Sequence, residues 1–215
     1  MEQSLPNGVK LNIERLFPTS VYVFDHVLEP EYIDSMLEHI KKSKKLNYEK
    51  RTGLWQSQKN PKLYQHPKYK ELGNKSVELS KLYLNDLLYE FEDLYLTDMW
   101  SNVIIPKETH SVHTHSNNFI SGVYYLQTTG NSPAIQFLDP RGQTCVIMPH
   151  QKELTKYNSP RYFYPGMINR MILFPSWLQH YVPANESNQD RVSVAFNMML
   201  KGKVGRPENF QSNIF

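Results

Sequence analysis

Three of the chain's eight histidines fall within the six positions from His110 to His115, in the stretch HSVHTHSNNF. Imidazole nitrogens are ligands for zinc, copper, iron and nickel ions. His113 and His115 are two positions apart, so in an extended strand both rings point to one face, about 7 Å apart along the backbone, and can share a metal ion. His110 is an odd number of positions from His113 and is expected on the opposite face, at the surface or outside the ligand shell. A polar strand start would carry the same residues, so this cluster alone does not establish a metal site.

The later stretch LQHYVPANESNQDRVS places a histidine and an arginine around a group of turn-forming residues. If a hairpin is centred between Asn185 and Glu186, His180 and Arg191 are cross-strand partners on one face, with Cβ atoms about 5 Å apart. A non-haem Fe(II) centre leaves open positions that the keto oxygen and near carboxylate of 2-oxoglutarate can fill. The far carboxylate then needs a planar, permanently charged partner, which is the property of arginine. Arg191 is therefore a candidate cofactor ligand, and Ser193, on the same face, is a candidate donor to the same carboxylate.

The elements that must position these residues begin with a predicted strand and two predicted helices. The segment LFPTSVYVF (16–24) has the β-branched and aromatic composition of a strand. A helix is predicted from Pro30, because the apolar residues that follow have the spacing of one helix face: Ile33, Met36, Leu37 and Ile40. A second helix is predicted at about 76–94 from the same spacing of Leu84, Leu87, Leu88 and Phe91.

From Tyr95 onward, short β-rich runs alternate with clusters of Gly, Pro, Asn and Ser, which is typical of an antiparallel sandwich or barrel. The chain is therefore predicted to be mainly β with flanking α. We expect a single domain over 1–215, with the N-terminal strand and helices at about 16–94 and the β core at about 95–200. Cys145 is expected in a buried strand. The predicted core strands are LTDMWSNVII, FISGVYYLQ, AIQFLD, TCVIMP, NRMILFPSWL and RVSVAFNMML.

Composition restricts the classes of protein to which the chain can belong. Lysine and arginine outnumber acids by only 24 to 21, which is not the dense basic footprint of a nucleic-acid binder. The single cysteine allows no internal disulfide, and the polar start MEQSLPNGVK lacks the apolar core of a signal peptide or a membrane span. These features predict a cytoplasmic protein that does not act at a membrane.

Several motifs, taken in order, resemble a small family of 2-oxoglutarate and Fe(II)-dependent oxygenases of bacteria and of phages of marine bacteria. They are HTHSNNFISGVYYL, IQFLDPR, LFPSWLQHYVPAN and RVSVAFN, and the match extends back to LFPTSVYVF and LTDMWSNV. The similarity spans roughly Leu16 to Asn197. It implies a double-stranded β-helix, or jelly-roll, core, with iron held by His113, His115 and His180 and 2-oxoglutarate held by Arg191. If a phage encodes the chain, the expected location is the host cytoplasm.

One residue departs from the usual pattern of the wider superfamily, whose proximal motif is His-x-Asp or His-x-Glu, whereas this chain has His113-Thr114-His115. Three neutral imidazoles leave the full double positive charge of Fe(II) in place, while a carboxylate would halve it. Asp139, in FLDPR, is the nearest candidate carboxylate, either as the third ligand or as a residue that contacts the substrate. The alternative for Asp139 is that it initiates a turn with Pro140.

The function expected from these residues is a dioxygenase that couples oxidative decarboxylation of 2-oxoglutarate to succinate with hydroxylation of a second substrate. Tyr125 keeps the parity of His115 and is a further candidate cofactor contact. The partners would be 2-oxoglutarate, O2 and an unidentified substrate, with a protein side chain or small molecule favoured over nucleic acid. Two alternatives stay open: a three-histidine, cupin-like metalloenzyme that does not use 2-oxoglutarate, and a jelly-roll binding module without catalysis.

Overall fold

Two antiparallel sheets form the core of the fold, and they carry apolar residues toward each other. The computed structural model describes residues 2–4, 10–47, 54–57, 61–142 and 146–215. The larger sheet has the strand order β3-β10-β7-β12-β5-β4, and the smaller has the order β6-β11-β8-β9. The strands are β1 (Glu2–Ser4), β2 (Lys10–Asn12), β3 (Tyr22–Asp25), β4 (Leu54–Gln56), β5 (Asp93–Ile104), β6 (His110–His113), β7 (Ile120–Gln127), β8 (Ile135–Leu138), β9 (Arg161–Tyr164), β10 (Arg170–Pro175), β11 (His180–Val182), β12 (Arg191–Lys201), β13 (Lys203–Val204) and β14 (Asn213–Ile214).

The eight strands from β5 to β12 pass back and forth between the sheets. β5, β7, β10 and β12 lie in the larger sheet, and β6, β8, β9 and β11 lie in the smaller one. This alternation is the topology of a double-stranded β-helix, and it confirms the fold class predicted from the sequence. Because consecutive strands belong to different sheets, except for β8 and β9, residues far apart in sequence become cross-strand neighbours.

Two helices cover the outer face of the larger sheet. They are α1 (Pro30–Asn47) and α2 (Lys70–Asp86), and short 3-10 turns at Leu63–Gln65 and Pro67–Tyr69 precede α2. In α1 the predicted apolar face is confirmed, because Ile33, Met36 and Ile40 are buried. Neither helix has an apolar stretch long enough to cross a bilayer within the residues that the structure describes.

The side chains of β12 alternate between the two faces of the larger sheet, one covered by the helices and the other facing the smaller sheet. Val192, Val194 and Phe196 pack into the apolar cluster that includes α1 and α2. The alternating residues Arg191 and Ser193 therefore point to the opposite side, toward the smaller sheet. This alternation supplies polar groups to an otherwise apolar interior.

The second helix does not have its predicted bounds. It begins at Lys70 and ends at Asp86, whereas the apolar spacing had suggested about 76–94. Leu88 has a left-handed backbone with φ 56 and is 88% exposed, so the helical spacing continues in the sequence beyond the point where the helix itself stops. The residues from Asp93 onward belong instead to β5.

Two predicted strands are also wrong in part. LFPTSVYVF forms a strand only from Tyr22, and Phe17 before it is exposed. In TCVIMP, residues 146–149 form no strand, and Val146 and Ile147 are exposed, while Cys145 lies outside the described residues. The strand that pairs with β8 at the end of the smaller sheet is β9, with the sequence RYFY.

Candidate metal and cofactor site

Three histidines converge between the two sheets. His113 ends β6, His115 follows it by two residues, and His180 begins β11. One ligand nitrogen from each lies within 4.8 Å of the others, a separation suited to one shared metal ion. The ring centroids of His113 and His180 are 4.3 Å apart, and His115 is 5.1 Å from each of the other two rings.

Backbone carbonyl groups fix the orientation of two of these rings. The Nδ1 atom of His113 lies 2.7 Å from the carbonyl oxygen of Ser111, and Nδ1 of His180 lies 2.9 Å from that of Leu178. A carbonyl oxygen only accepts, so both Nδ1 atoms carry the proton. The lone pair is then on Nε2 of each ring, where a metal ion can bind it.

His115 is held by a different set of contacts. Its backbone N–H donates to the carbonyl oxygen of Ser176 at 2.9 Å, and its ring stacks on Trp100 with centroids 5.6 Å apart. Its Nε2 atom is buried and has no hydrogen-bond partner among the described residues. The side chain of Asn197 hydrogen-bonds the ring, and Asn197 is itself held by the buried hydroxyl of Ser121.

Burial keeps His115 and His180 neutral. Removal from water lowers the pKa of His180 to about 3 and the pKa of His115 to about 4. Repulsion from the neighbouring histidines contributes to both shifts in the same direction, because two positive rings would repel each other. At neutral pH both rings are therefore unprotonated, which is the state that binds a metal ion.

Asp139 does not join this cluster. Arg141 holds its carboxylate in a two-point ion pair, with Nε and Nη2 donating at 3.0 and 2.8 Å, and the backbone N–H of Arg141 also donates to it at 3.0 Å. Of the two readings of FLDPR, the structure places Asp139 in the turn. The only group of three or more potential ligands that the described residues form consists of the three histidines and does not include Asp139.

Another acid, Asp98, acts electrostatically on His115 and was missed in the sequence. Its charge raises the pKa of His115, although burial has the larger and opposite effect. Asp98 lies opposite Asn197 in the pairing of β5 with β12, and its carboxylate is 3.9 Å from Lys62 Nζ. The pairing of β5 with β12 places Asp98 where it acts on His115. No recognisable spacing in the sequence connects the two residues.

His110 lies on the same side as the cluster, contrary to the parity expectation. A bulge between β6 and β11 changes the register, so His110 pairs with Val182 while His113 pairs with His180. The rings of His110 and His113 stack with centroids 4.3 Å apart. His110 is not one of the three histidines whose ligand atoms lie within 4.8 Å of one another, and its place outside the ligand shell stays a prediction.

The predicted pairing of His180 with Arg191 is wrong. His180 lies in the smaller sheet opposite His113 and Phe137, while Arg191 lies in the larger sheet opposite Ile104. The connection between them crosses from one sheet to the other instead of forming a hairpin. Asn185 holds this crossing, since its side-chain amide donates to the carbonyl oxygens of Ile104 and Gln189.

Arg191 nevertheless reaches the interior between the sheets with Ser193 and Tyr125. It is 2% exposed, its Nη1 donates to Ser193 Oγ at 3.2 Å, and its guanidinium lies 4.8 Å from the centroid of the Tyr125 ring. Its Nε atom and the Tyr125 hydroxyl are buried without hydrogen-bond partners among the described residues. Its positive charge also lowers the pKa of His110, so it acts at the same end of the sandwich as the histidines.

Phe174 and Phe137 form an apolar wall behind His180. Their ring centroids are 4.7 and 6.0 Å from its ring, and both side chains are buried. A separate groove of about 950 Å3 lies outside this wall, between residues 14–22 and the β8–β9 region. Phe137 and Leu178 line this groove, so Phe137 belongs to both the wall and the groove. None of the three histidines lines the groove.

Part of the chain resembles a known family. Residues 98–197 match a family model described as "Putative 2OG-Fe(II) oxygenase", and this segment contains the histidine cluster together with Arg191. The matched segment is slightly less than half of the chain. The resemblance read from the sequence is confirmed. The description of the matched model is that of a 2-oxoglutarate-dependent oxidoreductase, and it names 2-oxoglutarate and Fe(II).

Several solved structures share the fold of this chain at low sequence identity. A prolyl-4-hydroxylase from Pseudomonas putida is 12% identical, with a TM-score of 0.58 over 84% of this chain and 93% of that one. HygX from Streptomyces hygroscopicus, with nickel and 2-oxoglutarate bound, is 10% identical, with a TM-score of 0.60 over 84% and 82%. The epimerase SnoN, in complex with Fe3+, α-ketoglutarate and nogalamycin RO, is 13% identical, with a TM-score of 0.59 over 84% and 79%. No curated protein matches the chain.

Proposed function

We propose that His113, His115 and His180 bind Fe(II), and that Arg191 and Ser193 bind the far carboxylate of 2-oxoglutarate. The observation that carries this assignment is the buried guanidinium of Arg191. It opens into the interior that holds three converging imidazoles, and the described residues give it no carboxylate partner. A buried cation of this kind is costly unless a bound anion compensates it. The dicarboxylate cofactor of the family supplies that anion.

The chain's own groups would orient the cofactor at both ends. The planar guanidinium of Arg191 can donate two parallel hydrogen bonds to a carboxylate, and Ser193 Oγ already fixes the position of one of its nitrogens. The unpaired hydroxyl of Tyr125 is a further donor in the same place. At the other end, carbonyl groups hold the His113 and His180 rings so that Nε2 faces the metal position.

The bound cofactors supply oxidative decarboxylation of 2-oxoglutarate to succinate and carbon dioxide, coupled to oxidation of a second substrate. We propose that this oxidation is hydroxylation of a C–H bond in a protein side chain or a small molecule. The apolar wall of Phe174 and Phe137 would exclude water behind His180. Three neutral imidazoles leave more positive charge on the metal than the usual triad does. We expect the negative charge of Asp98, which acts on His115, to balance part of it.

The two alternative functions leave particular residues unexplained. A three-histidine metalloenzyme without 2-oxoglutarate gives no role to a buried arginine beside an unpaired tyrosine hydroxyl. A binding module without catalysis gives no reason to bury two neutral histidines with their Nε2 atoms directed toward one point. Both groups of residues have a role in the proposed oxygenase.

A substrate screen tests the proposed reaction. The iron-loaded protein is incubated with 2-oxoglutarate and O2 in fractionated cell extracts, and succinate is measured together with a 16 Da mass increase, one added oxygen atom, in components of the active fraction. His180→Ala is the matched control. We expect one fraction to stimulate succinate release by the wild type alone. Wild-type protein that binds iron and releases no more succinate than the control in every fraction would contradict the proposal.

A further inference from the structure

A second pair of histidines lies outside the metal site, where α1 contacts the turns before α2. The ring centroids of His39 and His66 are 4.5 Å apart, and both side chains are partly buried. Nδ1 of His39 lies 2.9 Å from the hydroxyl of Tyr69, a fully buried side chain. We call these three residues the histidine clasp. Since His39 belongs to α1 and the other two belong to residues 61–69, the clasp connects that segment to the helix.

His66 also caps the 3-10 turn Pro67–Tyr69. Its Nδ1 atom accepts a hydrogen bond from the backbone N–H of Lys68 at 3.2 Å. A backbone N–H can only donate, so Nδ1 of His66 carries a lone pair and the proton of the neutral ring lies on Nε2. A protonated imidazole carries a proton on both nitrogens and accepts no hydrogen bond. Protonation of His66 therefore removes the cap and directs two donors at each other.

The groups around the clasp oppose protonation of His39. Burial lowers the pKa of His39, and the positive charges of a protonated His66 and of Lys68 lower it as well. Lys68 is held beside the rings, since its Nζ atom donates to a carbonyl oxygen of α1 at 3.4 Å. Burial raises the pKa of Tyr69, so its hydroxyl keeps its proton at neutral and acidic pH.

Glu38, which precedes His39 on α1, does not offset these positive charges. It is exposed and pairs with Lys42 at 2.7 Å, and solvent weakens the effect of a charge at the surface. In the described part of the chain, no charge of α2 or β5 acts on His39. The closed clasp therefore takes up protons less readily than the separated residues do, and acid favours separation.

Residues 61–69 also contact the part of β5 beside the metal site. Lys62 forms an isolated bridge with Met99, and its Nζ atom lies 3.9 Å from the carboxylate of Asp98. The charge of Asp98 acts on His115. Separation of the segment from α1 and β5 would take Lys62 away from Asp98 and change the charge next to the histidine cluster.

We propose that the histidine clasp is an acid-sensitive closure, which holds residues 61–69 against α1 at neutral pH and releases them when His66 is protonated. The clasp lies outside the histidine cluster and outside the interior that holds Arg191. It does not depend on the reaction that takes place there. Through Lys62 and Asp98, it makes the charge at the metal site respond to pH.

Hydrogen–deuterium exchange of the full chain tests this closure, because exchange reports the opening of one segment while the rest stays folded. Protection factors, corrected for the intrinsic exchange rate at each pH, are measured at pH 7.5 and pH 5.5 for peptides covering residues 61–69. Peptides from β7 and β12 give the reference for global stability. The variants are His66→Asn and His39→Gln. Asparagine is a strong cap whose amide does not titrate, and His66→Ser serves the same purpose if the asparagine variant does not fold.

In the wild type we expect the protection of residues 61–69 to fall by about 5- to 30-fold between pH 7.5 and pH 5.5, the range for loss of a cap. The reference peptides should lose less. His66→Asn should keep its protection within about twofold, because its cap does not titrate. His39→Gln should show a smaller fall than the wild type, because the repulsion between two positive rings is gone while the cap at His66 still titrates.

Two results would overturn the inference. If His66→Asn or His66→Ser loses protection on acidification as the wild type does, the pH dependence comes from other groups. If residues 61–69 of the wild type keep their protection at pH 5.5, or lose it only together with β7 and β12, the clasp is not an acid-sensitive closure.

Discussion

His180 lies directly opposite His113 on the neighbouring strands β11 and β6, with ring centroids 4.3 Å apart. The two residues are far apart in the sequence, and the alternation of strands between the sheets makes them neighbours. Carbonyl groups two residues before each histidine hold both rings in the same way. The metal-binding geometry is therefore a property of the β-helix register and not of the histidine-rich segment alone.

The first prediction concerns the ligand set. His180→Ala should weaken Fe(II) binding by more than about 100-fold, because it removes a direct ligand, whereas loss of a group that only supports a ligand costs about 10- to 100-fold. His110→Ala is the matched control, because His110 stacks on His113 without joining the converging set. Anaerobic titration with Fe(II), followed by metal analysis, measures both. Equal loss of iron in the two variants would show that the ligand set is wrong.

The second prediction concerns the stability of the protein without cofactors. Arg191 is buried, with Ser193 Oγ as its hydrogen-bond acceptor and the Tyr125 ring beneath it. Arg191→Met removes the cost of burying that charge, so the melting temperature of the cofactor-free protein should stay equal or rise. The same variant should lose the rise in melting temperature that Mn(II) and 2-oxoglutarate together give the wild type. A large drop in melting temperature without cofactors would mean that Arg191 has a structural role.

The third prediction separates Asp139 from the metal. Asp139→Asn should leave Fe(II) affinity within about twofold, a change of less than 1 kcal/mol, because the carboxylate is occupied by Arg141 in a turn. Fe(II) titration of the variant measures this directly, and Arg141→Gln is the control for loss of the ion pair. A loss of iron comparable to that of His180→Ala would restore Asp139 as a ligand.

Much of the site could be predicted from the sequence because the relevant signals are short in range. The two-residue spacing of His113 and His115, and the turn-forming residues before Arg191, are local patterns. The register is not local. The pairing of His180 with Arg191 was wrong because the connection between them changes sheets, and the bulge at His110 reverses its parity. The electrostatic effect of Asp98 on His115 depends on pairing between distant strands, which no spacing along the chain encodes.

The predicted bounds of helices and strands are accurate only where the apolar pattern in the sequence coincides with the surface that is buried. α1 was predicted well because its apolar spacing coincides with the surface it buries. For α2 the apolar spacing continues past Asp86, where the chain turns through Leu88 with a positive φ. The apolar composition of VIMP suggests a strand, but its apolar residues are exposed and the segment forms a loop.

The fourth prediction concerns pH. Burial lowers the pKa of His180 to about 3 and of His115 to about 4, compared with 6.5 for a free side chain. From pH 6.5 downward the unfolded chain therefore binds more protons than the folded chain, so the free energy of unfolding of the metal-free protein should fall. Each buried neutral histidine contributes at most about 1.4 kcal/mol per pH unit.

Urea unfolding at several pH values between 7.5 and 5 measures this slope. His180→Gln is the control, because it removes one titrating group and should reduce the slope, whatever its effect on stability at pH 7.5. If the free energy of unfolding of the wild type does not change, or rises, on acidification, the histidines are not buried in the neutral state.

The most direct test of the central claim is an anaerobic absorption titration of the wild-type protein. Fe(II) bound by three imidazoles and chelated by 2-oxoglutarate should give a visible charge-transfer band that needs both components together. We expect the band in the wild type, its loss in His180→Ala at all 2-oxoglutarate concentrations, and its recovery in Arg191→Ala only at much higher 2-oxoglutarate concentrations. A wild-type protein that binds Fe(II) and shows no band at saturating 2-oxoglutarate would contradict the assignment of this site.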